Sequence, residues 1–170
     1  GEVRKQYVHV VDITPTLLDV LGIEAPKNLN GAAQKPMEDV SFAHTLNAPE
    51  APTKKTAQYY EMLGSRAIWS DGWKAVAEQP QGVELTEEKL ASMKWELYHV
   101  AEDFSESVDL AEKYPERLQA LIDLWWSEAG KYNVLPLDSR MQARMSERKP
   151  SAGPVRNKYI YYPGGAPHFE

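Results

Sequence analysis

Four histidines, at positions 9, 44, 99 and 168, are the imidazoles of this 170-residue chain. Imidazole is the side chain best suited to moving protons near neutral pH. None of the four stands at metal-ligand spacing from another, and no H-E-x-x-H pattern is present. His99 falls inside the run "WELYHV" and reads as a partly packed strand residue. His9 precedes the first helix and reads as a structural hydrogen-bonding group. His44 lies in a loop-rich stretch, where functional side chains concentrate, and is the single candidate kept for substrate binding. Cysteine is absent, which excludes a thiol nucleophile, a thiolate metal site and a disulfide framework. A glycine-rich phosphate loop, an EF-hand loop and a G-x-S-x-G elbow are also missing. No catalytic residue and no metal ligand is assigned.

The carboxylates carry little more. Glu61 interrupts the aromatic run "AQYYEM" and is expected to pair with Arg66 or Lys74 across a sheet. Glu102, Asp103, Glu106 and Asp109 read as a solvated acidic loop that also favours the positive end of the helix after it. Nothing in the spacing brings a carboxylate, a histidine and a nucleophile together as a triad requires. The formal net charge of −6 argues against nucleic acid as a partner, because a phosphate-binding surface needs a basic excess. No apolar run approaches the roughly 18 residues of a membrane span.

These side chains need elements to hold them. "YVHVVDITPTLLDVLGI" (7–23) predicts a helix with Asp12 or Thr14 as N-cap, Pro15 in the first turn and Gly22 closing it. Residues 24–54 read as loop, with one helical turn in "VSFAHTL" capped by Ser41. Strands are expected over 57–62, 65–70, 73–78 and 95–100. Asp71-Gly72 provides a positive-φ turn between the second and third, and a short helix is expected near 86–92. Short connections favour an antiparallel meander. Pro115 starts a helix whose Leu118, Leu121, Ile122, Trp125 and Trp126 form an apolar stripe. The fold class expected is α+β: a four-stranded antiparallel sheet packed against a C-terminal amphipathic helix. Trp125-Trp126 reads as helix packing rather than a sugar platform. Residues 139–158 are basic and read as a strap with internal ion pairing.

Three motifs in order carry a resemblance. "HVVDITPTLLDVLGIEAP", "APTKKTAQYYEMLGSRAIWSDGWKAV" and "WELYHVAEDFSESVDLAEKYPERLQALIDLWWSEAGKYNVLPLDSR" together resemble the C-terminal part of bacterial arylsulfatases, type I sulfatases of the alkaline phosphatase superfamily. Lys55, Ser65 and Ser70 depart from the His, Asn and His common at those places in the family. The resemblance implies a parent enzyme that hydrolyses sulfate esters with a formylglycine, made from Cys or Ser, and a calcium ion. No residue of that machinery maps onto this chain, so no cofactor is expected in it and it is expected to be inactive alone.

The implied organisation is 1–54 as connecting helix and loops from a missing large N-terminal domain, 55–138 as the sulfatase C-terminal subdomain, and 139–170 as a basic strap toward a further tail. Trp69 and Trp73 are expected to pack on the helix or on the missing domain. His44 is expected to line the substrate entrance of the intact enzyme. An apolar patch of Tyr7, Val8, Val10, Val11, Ile13 and the adjoining helix is expected to drive self-association. A phosphonate or phosphate ester hydrolase of the same superfamily, and a free-standing interaction module, stay open as alternatives.

Overall fold

The computed structural model describes residues 3–80 and 82–140. The chain divides into two units, Gly1–Ser139 and Arg140–Glu170, and the described residues belong almost wholly to the first. The basic strap and His168 lie outside them, apart from Ser139 and Arg140.

The first helix, α1 (Ile13–Leu21), is preceded by a single 3₁₀ turn, Val10–Asp12. Asp12 sits at the N-cap position but makes no cap bond to α1. Its carboxylate instead reaches back to the His9 N–H, while the His9 ring faces the Val11 N–H, a reciprocal box around the turn. Gly22 closes the helix in the left-handed region at φ 65°. The N–H groups of Gly22 and Ile23 return to Asp19 O and Leu18 O, as a glycine-terminated helix end does.

The stretch read as plain loop contains a small hairpin, β1 (Asn28–Leu29) and β2 (Ala32–Ala33). Asn30 and Gly31 both have positive φ, 49° and 82°, and Asn-Gly between short arms was the available signal. Ser41 Oγ accepts the Ala43 N–H ahead of the expected turn, Ala43–Thr45.

The main sheet has strand order β3 (Ala57–Met62), β4 (Ser65–Ser70), β5 (Trp73–Ala77), β6 (Glu96–Tyr98), antiparallel throughout. Asp71 and Gly72 turn β4 into β5 with φ of 49° and 77°. A Cβ on Gly72 would stand 3.0 Å from the Ala101 Cβ, so the turn needs glycine for both φ and space. Thr86 caps the short α2 (Glu87–Ser92) through the Lys89 N–H.

The C-terminal helix α3 (Pro115–Lys131) begins on its proline, where the missing N–H costs nothing. Its Leu121, Trp125 and Ala129 form one core with Ile68, Ala75 and Leu97, and Leu118 packs at its side. This buries the helix stripe against one sheet face, the α+β arrangement expected. Trp125 is fully buried and donates from Nε1 to Tyr60 O at 3.0 Å. A large apolar ring thus also satisfies a strand carbonyl. The opposite sheet face presents Trp69, which stacks on Tyr7 at 3.6 Å and 6°. Its cover is therefore the chain's own N-terminal segment, neither the helix nor a second domain. Trp73 packs against the helix-side core as expected.

Candidate functional site

The most concentrated set of polar groups lies where the N-terminal segment crosses the sheet face opposite α3. Lys55 Nζ and Asp12 Oδ1 are 2.7 Å apart, with both side chains nearly inaccessible, at 8% and 1%. Asp12 also accepts the N–H groups of His9, at 2.8 Å, and Val40, at 3.1 Å. One carboxylate thus joins segments around residues 9, 40 and 55. Burial pushes the Asp12 carboxyl up, but the Lys55 ammonium and the two backbone donors outweigh it and hold it below the ordinary carboxylate value. Thr16 extends the node: its hydroxyl donates to Asp12 O and accepts the Phe42 N–H. Sequence reasoning missed this role for Asp12, reading it only as a helix cap, and gave Lys55 none. A pair 43 residues apart leaves no local pattern.

Beside the node, the Tyr7 and Tyr60 hydroxyls share a hydrogen bond, and the His9 ring meets Tyr60 edge-on at 5.4 Å. Burial and the Tyr60 hydroxyl both push the Tyr7 phenol well above its ordinary value. It therefore acts as a fixed hydroxyl and not as a base. A cavity of about 10 Å³ opens here, lined by Gln6, Tyr7, Asp12, His44, Thr53 and Lys55 among others. His44 belongs to this lining, its Nε2 facing Pro52 O at 3.0 Å. Asp12, Lys55, His9 and His44 are thus neighbours on one face. No nucleophile stands among them, and the one carboxylate is consumed by the ammonium and backbone donors. The arrangement positions backbone.

The other sequence candidates lie elsewhere. Glu61 pairs with neither Arg66 nor Lys74: it accepts the Gly64 N–H at 2.9 Å and closes the β3–β4 turn. Lys74 instead holds Glu106 at 2.7 Å. Arg66, 2% exposed, lies over the rings of Trp95, Trp125 and Trp126 at 4.8, 5.6 and 5.6 Å. Cation–π attraction takes the place of a counter-ion there, and burial pushes its pKa down from the ordinary arginine value.

The acidic stretch before α3 is largely exposed, as expected, and its carboxylates also serve the backbone. Asp103 accepts the Ser107 and Val108 N–H groups, and Asp109 accepts those of Leu97 and Ala111. Backbone donors left open by the loop select these carboxylates. His99 stacks on Trp73 at 4.3 Å, with Nδ1 3.1 Å from Glu102.

The described residues do not fit a calcium centre. Among the described residues no group of three or more His, Asp or Glu side chains converges as metal ligands. The carboxylates at 12, 61, 103 and 109 each serve backbone N–H groups. A formylglycine has no Cys precursor in the chain. No helix among the described residues is long and apolar enough to cross a membrane.

Comparison with known proteins bears on what this support structure serves. No family model matches the chain. An uncharacterized sulfatase of Schizosaccharomyces pombe is 28% identical over 131 residues, covering 72% of this chain and 21% of that protein. Arylsulfatase K of Xenopus laevis is 24% identical over 127 residues, covering 71% and 22%. The chain therefore spans about a fifth of the length of the curated relatives it matches. A solved structure in complex with its substrate D-glucosamine-2-N,6-O-disulfate superposes with TM-score 0.50 at 19% identity, covering 76% of this chain and 25% of that one. This last likeness speaks for the fold alone. The sequence similarities, over about 70% of this chain, are to sulfatases.

Proposed function

We propose that these residues form the supporting C-terminal subdomain of a sulfuric ester hydrolase whose catalytic centre, with its formylglycine and calcium ion, is built by other residues. The observation that carries the reading is the extended similarity to sulfatases, of which the match spans about a fifth. The internal chemistry supports it, because the Asp12–Lys55 node and the tryptophan-caged Arg66 are committed to packing. In the whole enzyme His44 lines the edge of the substrate entrance.

The outer surface of α1 also supports it. The helix turns Asp12, Thr16 and Asp19 toward the loop at 40–42 through hydrogen bonds to Val40, Phe42 and Ser41. It leaves Ile13, Leu17, Val20 and Leu21 about half or more exposed, with Val8 and Val10 beside them. A surface helix normally does the reverse, and contiguous apolar patches of this kind mark a covering partner. The partner proposed is the large sulfatase domain. Tyr7, stacked inward on Trp69, is not part of the patch.

The test is hydrolysis of an aryl sulfate, aryl phosphate and aryl phosphonate with calcium present. The 170-residue chain is expected to turn over none. The product of the complete coding sequence around it is expected to prefer the sulfate. Turnover by the purified chain, or a preference of the complete product for phosphorus esters, overturns the proposal.

A further inference from the structure

The cavity beside the Asp12–Lys55 pair contains two acceptors with no donor. Gln6 Nε2 donates to Pro49 O and to Ala51 O, each at 2.6 Å. Both partners are carbonyls, so the amide orientation is set and Gln6 Oε1 is left as an acceptor. His44 Nε2 stands 3.0 Å from Pro52 O. A carbonyl only accepts, so Nε2 carries the proton and Nδ1 is a bare acceptor. Gln6 Oε1 and His44 Nδ1 are both buried without a hydrogen-bond partner, and both residues line the same cavity.

The nearby threonine and serine hydroxyls are committed. The Thr45 hydroxyl donates to Phe42 O and the Thr53 hydroxyl to Tyr7 O. Ser41 donates to Asp19, and Lys55 to Asp12. The volume, about 10 Å³, is close to the least that holds one water, and buried water characteristically joins such unmatched polar groups.

We infer that this cavity is a binding site for one water molecule, which donates one hydrogen to Gln6 Oε1 and the other to His44 Nδ1. The water ties the N-terminal segment to the 3₁₀ turn that carries His44, and its donation to Nδ1 matches the tautomer with the proton on Nε2. Two bare acceptors in one cavity reject an anion, because a sulfate oxygen has no hydrogen to offer either. His44 is therefore a positioning residue that presents an acceptor. This inference concerns the chain itself and does not rest on the sulfatase reading.

Nitrogen-detected NMR of the histidine rings in the 170-residue chain, with His44→Asn for assignment, reads the tautomer directly. At neutral pH His44 is expected to show a protonated Nε2 and an unprotonated, hydrogen-bonded Nδ1. A protonated Nδ1 would overturn the inference. Water–protein cross-relaxation is expected to place a long-lived water beside Gln6 and His44, and to lose it in Gln6→Met. A dry site, or a signal unchanged in Gln6→Met, counts against it. Addition of sodium sulfate is expected to leave the His44 ring shifts unmoved; a saturable shift toward the imidazolium pattern means an anion site instead. Should Gln6→Met not fold, the tautomer and sulfate measurements on the unaltered chain decide alone.

Discussion

Lys55 and Asp12, 43 residues apart, form an ion pair at 2.7 Å that is nearly closed to solvent, and Asp12 spends its remaining acceptor capacity on the N–H groups of His9 and Val40. Removing one partner strands a buried charge, which costs about 3–5 kcal/mol. Lys55→Met and Asp12→Asn are each expected to lower urea-unfolding stability by an amount of that order. The double variant is expected to lose less than the sum, because the second change relieves the charge stranded by the first. Additive losses, within about 0.5 kcal/mol, would show that the two side chains do not act as a pair.

Acid should act through the same carboxylate. Asp12 is held below its ordinary value, and so is Asp109, where burial pushes up but the Ala111 and Leu97 N–H groups and Lys94 prevail. A folded-state pKa below the unfolded one adds stability that is complete above the unfolded value, about 3.9, and drains away as pH falls through the folded value. Stability is expected to be flat in this respect from neutral pH down to about 4 and to fall below it. Urea midpoints measured across that range check this, and Asp12→Asn is expected to flatten the acid limb.

Arg66 offers the opposite case, a buried cation with tryptophan rings in place of a carboxylate. A flexible apolar chain fills much the same space without the desolvation cost. Arg66→Met is expected to stay within about 1 kcal/mol of the unaltered chain. Arg66→Ala, which leaves a cavity, is expected to lose about 2–5 kcal/mol. Equal, large losses in both would mean that the guanidinium–indole contacts dominate.

The turn between β4 and β5 is a test of backbone chemistry. Gly72→Ala meets φ 77° and an Ala101 Cβ at 3.0 Å, and strain at such a position exceeds the usual benefit of about 0.4–1 kcal/mol from replacing glycine. A net loss of thermal stability is expected in melting curves. A gain would mean that the 99–103 turn moves aside freely.

The apolar outer side of α1 is expected to make the isolated chain self-associate. Sedimentation at several concentrations should show it, and Leu17→Glu with Val20→Lys should abolish it without loss of helix signal. A chain that stays monomeric at all concentrations, with the patch unaltered, would count against a covering partner.

Periodicity and turn chemistry determined the elements. The α3 stripe at three- and four-residue spacing, Pro115 at its start, Gly22 closing α1 and Asp71-Gly72 between two strands are local signals, and each element formed where its signal lay. The sulfatase resemblance was likewise legible, because it rests on the order of motifs along the chain. The tertiary structure decided the partners. Glu61 met a turn N–H before it could reach Arg66, and Arg66 found indoles. Trp69 was covered by Tyr7 from 62 residues away, and Lys55 crossed to Asp12. A charge or an aromatic ring states in sequence only that it needs a partner. Which partner it takes depends on distances that exist after strands pair and the N-terminal segment lies down on the sheet.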